Sequence, residues 1–258
     1  MRGTMLKFHF LYQLKNLTLR TPFSYGYYRK LKNHRDTSYN HERDKHPVRT
    51  KHHDKEGWKP EFEGEVRYRD YTSYEEYITH QSQKFDEILK MSGGFSNKII
   101  LWYRKTFYKR FRHLSSFLDK DAVILCLGAR QGTEVEVLWD LGYKNAIGLD
   151  LNPGPDNPYV KEGDFMNLKF PDRSVDMVYS NCVDHAFELD KFFQEHARVL
   201  KPGGYAIYDI NVSDQRFGVF EAVEWESDET LFLLVLKYFR NLLHLEESGS
   251  WKWMLLRK

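Results

Sequence analysis

The sequence predicts an α/β protein built on a mostly parallel sheet, and three observations carry that reading. From Asp121 onward, short apolar runs alternate with stretches of helical period. Several of these runs end in a turn bearing glycine or aspartate. The chain then closes with two apolar-rich segments joined by Ser248, Gly249 and Ser250, a hairpin signal.

The elements follow in order. Ala122–Leu127 is a short apolar run of the kind that strands buried on both faces show. Thr133–Leu141 reads as a helix with Val135, Leu138 and Trp139 facing inward. Ala146–Leu151 is a second strand, Tyr159–Gly163 a weak third and Val175–Ser180 a fourth. Leu189–Leu200 is a helix, with Phe192, Phe193, Ala197 and Leu200 on one side. Lys201, Pro202, Gly203 and Gly204 are expected to stop it, and Tyr205–Ile210 is a fifth strand. Strands and helices alternating at this spacing imply βαβ units with right-handed crossovers. Beyond them, Val219–Trp225 alternates like a strand and Asp228–Phe239 reads as a helix. Leu242–Glu247 and Trp251–Leu256 form the closing hairpin.

Ahead of this core the chain changes character twice. Residues 1–72 are expected to be a basic, partly irregular arm, residues 73–118 a helical cap or lid, and residues 119–258 the core. Ser73 is a candidate N-cap with Glu76 at capping-box spacing. Tyr74, Tyr77, Ile78, Gln81, Phe85 and Ile88 then recur at helical spacing, and Gly93 and Gly94 end that helix. A second helix is expected from about Asn97 to Phe117. Its apolar side holds Ile99, Ile100, Tyr103, Phe107 and Phe111, and its other face, with Arg104, Lys105, Lys109, Arg110 and Arg112, is expected to be solvated.

Bulk properties narrow the function. The 258 residues, 41% apolar and 16% aromatic, suffice for one sizeable core plus an extension. Two cysteines, Cys126 and Cys182, cannot make a disulfide framework and fit a reducing compartment. No run approaches the roughly 20 apolar residues of a membrane span, and the first 24 residues lack the pattern of a secretion signal. The expected location is therefore cytoplasmic. The net charge of +2 is uneven: residues 1–60 carry 14 Lys and Arg against 5 Asp and Glu, or +9, leaving −7 on the other 198. Such an arm can meet phosphates, nucleic acid included, or can simply be solvated. Its six histidines, His9, His34, His41, His46, His52 and His53, match no standard metal-ligand spacing, so no metal is expected.

The chemistry gathers at strand tips. The first strand runs into Gly128, Ala129, Arg130, Gln131 and Gly132, then directly into a helix. Glycines at such a turn let backbone approach a ligand. The second strand ends in Asp150 and Leu151, with Asp150 18 residues beyond Gly132. A carboxylate there can accept both hydroxyls of a ribose. Asp164 and Phe165 follow the third strand, where one can take an amino hydrogen of a purine and the other flank its ring. All these tips lie on the carboxyl edge of the sheet, where open α/β folds bind ligands. A nicotinamide-binding fingerprint would need Gly-x-Gly-x-x-Gly, but position 130 is Arg and position 133 is Thr.

Taken together, Val123–Gly132, Ala146–Asp150, Glu162–Phe165, Pro171–Asn181 and Arg198–Gly204 resemble the class I S-adenosylmethionine-dependent methyltransferases, in particular the group called methyltransferase type 11. The resemblance covers roughly residues 115–258. It implies a Rossmann-like, seven-stranded, mostly parallel sheet with a final antiparallel hairpin, and S-adenosyl-L-methionine as cofactor. It further implies that Gly128 and Gly132 line the methionine and ribose side. Asp150 would hold the ribose, Asp164 the adenine amine, and Asn181 would lie near the methionine end. The chain departs from the family where Cys126 replaces an acidic residue and Arg130 a glycine. Arg130 can meet the cofactor carboxylate or turn outward to Glu134.

Methyl transfer is an in-line displacement that depends mainly on alignment. A hydroxyl or amine acceptor also has to lose a proton, for which His is suited. Asp184 and His185, just past the fourth strand, are the candidates, with His185 as base or acceptor-binding residue and Asp184 or Asp209 as orienter. A purely structural role for His185 is the other reading. His80 and Gln81, on the first helix, are candidates to touch the cofactor as part of a lid. Three functions follow: methylation of a small-molecule, sugar or lipid-linked acceptor; RNA or protein methylation using the basic arm; or a non-catalytic scaffold of the same fold.

Overall fold

The computed structural model describes residues 57–59, 63, 66–92, 97–211, 219–225, 227–248 and 251–258. The histidines and basic residues of the first 53 positions, and the glycine pair 93–94, lie outside them. In chain order the elements are β1 (Val66–Tyr68), α1 (Tyr74–Ser92), α2 (Asn97–Phe111), β2 (Ile124–Leu127), α3 (Thr133–Asp140), β3 (Ala146–Asp150), β4 (Val160–Glu162), β5 (Val175–Ser180), α4 (Leu189–Val199), β6 (Leu200–Asn211), β7 (Val223–Trp225), α5 (Asp228–Leu236), β8 (Asn241–Ser248) and β9 (Trp251–Arg257).

Seven strands form one sheet in the order β4-β3-β2-β5-β6-β9-β8. The first five are parallel, and β9 pairs antiparallel with both β6 and β8. The chain leaves β2 toward β3 and β4, then returns to β5 on the other side of β2. That reversal opens a crevice at the carboxyl ends of β2 and β5. The period of two along β2 sends Leu125 and Leu127 into one apolar layer and Ile124 and Cys126 into the other. The first layer is completed by Phe192, Phe193 and Val199 of α4, the second by Phe107 and Phe111 of α2 and by Val135 and Leu138 of α3.

Helix α1 starts where the capping signal lies. The Ser73 hydroxyl accepts from the Glu76 amide at 3.2 Å, while the Glu76 carboxylate reaches one residue further back than a strict capping box, to the Thr72 amide and hydroxyl, both at 2.6 Å. Side chains at Phe85, Ile88 and Ile99, part of the expected apolar stripes, lie outside the description.

Three features differ from the sequence reading. The helix α2 ends at Phe111, and a single 3-10 turn, Leu114–Ser116, follows it. Its basic face is not uniformly solvated: Arg104 pairs with Glu136 and Asp140 of α3, and Arg110 is buried against Asp209 of β6. Lys201–Gly204 does not separate α4 from a later strand, because β6 begins at Leu200. The ladder against β5 runs from Val175–Leu200 directly to Met177–Tyr205, so these residues bulge out of it. Pro202 has no amide to donate, and Gly203 takes φ +77°, which suits such an excursion.

A second, two-stranded sheet joins β1 to β7. Arg67 and Glu224 face each other across it and form an ion pair, with Nε to Oε1 at 2.7 Å. The Ala222 amide donates to the Asp184 carbonyl at 2.8 Å. This small sheet thus holds the Phe220–Ala222 backbone beside the loop that follows β5.

Candidate active site

The turn after β2 sets the floor of the site. Gly128 and Gly132 have φ of +72° and +80°, and Arg130 between them has φ +46°. A Cβ on Gly128 would lie 2.3 Å from Cys182 Sγ, and one on Gly132 2.6 Å from Tyr159 Cβ. The turn therefore needs glycine at both places for conformation and for space. The backbone amide of Arg130 donates to Asp150 Oδ2 at 2.8 Å, and that of Asn152 to Oδ1 at 3.0 Å. Two fixed amides orient the Asp150 carboxylate and leave each oxygen a lone pair for a ligand.

A cleft partly open to solvent lies over this turn. Its walls bring together Gln81, Gly128, Arg130, Asp150, Leu151, Phe165, Asn181 and His185 from the sequence reading, and add Tyr77, Lys84 and Cys182. A smaller neighbouring recess shares Gly128, Arg130 and Asn181 and adds Ala129, Tyr103 and Glu134.

The other candidates sit at the margins. Asp164 Oδ1 accepts from the Met166 amide at 2.7 Å, and Oδ2 from the Tyr74 hydroxyl at 2.5 Å. Burial and this carboxylate push the Tyr74 phenol above its usual range. Phe165 is buried, edge-on to Phe192. His80 lies off the cleft wall, stacked on Phe220 and bonded through Nδ1 to the Tyr71 hydroxyl at 2.8 Å. Gln81 donates to the Phe220 carbonyl at 2.7 Å. Asp209 is engaged elsewhere, by Arg110 at 2.9 Å and by the Tyr179 hydroxyl at 2.9 Å.

Electrostatics separate the charged groups. The Arg130 guanidinium makes no side-chain hydrogen bond or ion pair among the described residues. Burial opposes its charge, but Tyr103, Asp150 and Glu134 outweigh burial and raise its pKa. Glu134, only 5% exposed, is pushed up to about 8 by burial, with Arg130 opposing. A protonated Glu134 leaves Asp150 as the neighbouring carboxylate that acts on the Arg130 charge. Burial raises the Cys182 thiol to about 12, which keeps it unreactive.

His185 is held from both sides. Its Nδ1–H donates to the Phe220 carbonyl at 2.7 Å, which leaves Nε2 as acceptor for the Lys84 ammonium at 2.6 Å. The Tyr77 hydroxyl donates to the His185 carbonyl at 3.0 Å. Burial and then the Lys84 charge depress the imidazole to about 3. The ring is oriented by a backbone carbonyl, with Asp184 Oδ1 3.8 Å from Nε2. Asp184, His185 and Glu221 place one ligand atom each within 4.8 Å of one another, and Lys84 supplies the positive charge beside them.

Lys84 and the Phe220 carbonyl are the parts sequence reading missed. A backbone carbonyl has no sequence signature. Lys84 had one: it continues the stripe Tyr77, Gln81 at offsets of four and seven, whereas the apolar pattern draws attention to Phe85.

Comparison with known proteins bears on the fold and on the stretch that carries these strand tips. Residues 125–208 match the family model described as a methyltransferase domain. The sterol 24-C-methyltransferase of Aspergillus fumigatus is 47% identical over 58 residues, 22% of this chain and 15% of that one. The phthiotriol/phenolphthiotriol dimycocerosates methyltransferase 1 of Mycobacterium ulcerans is 38% identical over 96 residues, 31% of this chain and 32% of that one. The alignments thus span under a third of the length of these relatives. Among solved structures, the 1,6-didemethyltoxoflavin-N1-methyltransferase of Burkholderia thailandensis, crystallised with its substrate and S-adenosylhomocysteine, aligns with TM-score 0.57 at 15% identity. That alignment covers 75% of this chain and 94% of the other. A protein of Pyrococcus horikoshii aligns with TM-score 0.52 at 20% identity, over 66% and 98% of the two chains. Both are likenesses of fold. Among the described residues no helix is long and apolar enough to cross a membrane. The stretch from residue 125 to residue 208 is a methyltransferase domain, set in the fold of the class I S-adenosylmethionine-dependent methyltransferases.

Proposed function

We propose that this chain transfers a methyl group from S-adenosylmethionine to a small-molecule or lipid-linked acceptor. The observation that carries the reading is the cleft at the carboxyl edge of β2, β3 and β5, where an aimed carboxylate, a guanidinium and a buried aromatic converge. These donors and acceptors match the cofactor part by part. Asp150 offers two oxygens to the ribose hydroxyls, and Arg130 offers a cation to the amino-acid carboxylate. On this reading Asp164 would take the adenine amine, Phe165 would flank the ring and Asn181 would lie near the methionine end. Gly128 and Gly132 keep the floor of the turn free of side chains. The cofactor supplies an activated methyl on a sulfonium. The protein supplies alignment and exclusion of water.

The acceptor class rests on relatives. Both curated names above are of lipid methyltransferases, and a cleft lined in part by Tyr77 and Phe165 suits an acceptor with apolar parts. The alternative, RNA or protein methylation, would use the basic arm, which lies almost wholly outside the described residues. The test is methyl-labelled cofactor offered with the full chain to fractionated cell extract. Label in the organic-solvent or small-molecule fraction is expected. Label confined to RNA or protein overturns the acceptor class, and label nowhere overturns the enzyme reading.

A further inference from the structure

Among the described residues, Lys84 is the one charged side chain that the helical cap sends into the cleft. It comes from α1, outside the matched methyltransferase stretch, and reaches His185 in the loop after β5. Its Nζ lies 2.6 Å from His185 Nε2. The His185 ring cannot rotate freely, because Nδ1–H is committed to the Phe220 carbonyl, and that carbonyl also accepts from Gln81. Nε2 therefore acts as a fixed acceptor. It claims one hydrogen of the Lys84 amine and leaves the rest of that nitrogen turned to the cleft.

We propose that Lys84 is the group that takes the proton from the methyl acceptor, and that His185 is the positioning residue that aims it. The proposal rests on the methyl-transfer reading above. Lys84, as the free amine, accepts the proton of an acceptor hydroxyl or amine. This happens as the bond from acceptor to methyl carbon forms and the carbon–sulfur bond of the cofactor breaks, the electron pair staying on sulfur. The resulting ammonium donates to His185 Nε2 and then releases its proton to solvent at the cleft mouth. The acceptor is thus a proton-bearing oxygen or nitrogen nucleophile.

The charges around Lys84 suit this cycle. Its pKa is lowered to about 8 by burial first and by Arg130 second, while Glu221 and Asp184 oppose. Cys182 also faces it, and His80 lies on its own helix. A lysine near 8 holds a usable fraction of free amine at neutral pH, whereas an ordinary one near about 10.4 does not. His185, at about 3, cannot do the same work.

Two measurements on the full chain test the proposal. Competitive acylation of lysines, read by mass spectrometry against pH, should give the Lys84 peptide a midpoint near 8. A midpoint at the ordinary lysine value overturns the proposal without any turnover. Labelled-methyl transfer to extract should fall at least about 100-fold in Lys84→Met, of the size general base catalysis contributes. S-adenosylhomocysteine affinity should stay within a few-fold. Lys84→Arg, which keeps the charge but cannot deprotonate, should be equally slow, and added small alkylamines should restore part of the rate to Lys84→Ala. His185→Ala should lose less rate and shift the pH midpoint of the reaction downward, because the Lys84 ammonium loses the acceptor that stabilises it. Transfer by Lys84→Met at the wild-type rate refutes the role. Failure of the wild-type chain to bind S-adenosylhomocysteine instead refutes the methyl-transfer reading beneath it.

Discussion

Replacing Glu134 with Gln should stabilise the protein, increasingly so as pH rises. Glu134 opens α3 with its side chain buried, and its pKa is raised from 4.5 to about 8. The direction is the reverse of the usual paired carboxylate. The folded state binds the proton more tightly than the unfolded chain does, so the group's contribution is complete below about pH 4.5 and is lost as pH climbs toward 8. Each pKa unit corresponds to about 1.4 kcal/mol, so at pH 7 wild type gives up roughly 3 kcal/mol relative to a side chain of the same shape that never ionises. Urea unfolding of both proteins between pH 4.5 and 8 measures this. The two curves should meet at the acid end and diverge steadily above it, with the Gln variant higher. A gap that does not change with pH, or one in which wild type gains with pH, refutes the reasoning, since either would mean that Glu134 is a paired carboxylate. The result also bears on the site, because a neutral Glu134 does not compete for the Arg130 charge.

Three further outcomes are expected. Gly128→Ala should cost about 2–5 kcal/mol, from left-handed backbone strain plus overpacking against Cys182; adding Cys182→Ala should recover only the second part, and full recovery in urea unfolding would contradict the backbone argument. Arg110→Met should destabilise by about 3–5 kcal/mol by stranding Asp209 in the core, and Asp209→Asn in the same chain should return much of that loss; additive losses would show that the two do not form a buried pair. Tyr74→Phe should tighten S-adenosylhomocysteine binding about 2–10-fold by freeing Asp164 Oδ2, the worth of one hydrogen bond, while weaker binding would mean that the phenol holds Asp164 in place for the ligand.

The sheet was readable because buried strands and amphipathic helices leave strong periodic traces. Leu125 and Leu127 face one layer and Ile124 and Cys126 the other, so the whole run is apolar, and its glycine turn marks where it stops. The closing hairpin appears where Ser248, Gly249 and Ser250 point to it. Less local features left fainter marks. Strands β1 and β7 have three residues each, too few for a period, and what fixes them is the cross-strand pair of Arg67 and Glu224. Arg110 looked like any surface arginine of a basic face, because its partner Asp209 lies 99 residues away. In the site, Asp150 announced itself by its distance from the turn, whereas Lys84 was hidden by the habit of reading lysine on a helix as solvated. The surroundings of His185 depend on the Phe220 carbonyl, placed by β7 and invisible to any side-chain pattern.

The central claim is that the cleft over the Gly128–Gly132 turn holds S-adenosylmethionine with Asp150 on its ribose. Calorimetric titration of the full chain with S-adenosylhomocysteine tests it most directly, beside the Asp150→Ala variant with its fold checked by circular dichroism. Two charge-assisted hydrogen bonds at roughly 1.5–3 kcal/mol each predict saturable one-to-one binding by wild type and a loss of about 10²–10⁴-fold in the variant. A folded wild-type chain that takes up no ligand at millimolar concentration, or an Asp150→Ala variant that binds as tightly as wild type, would contradict the account.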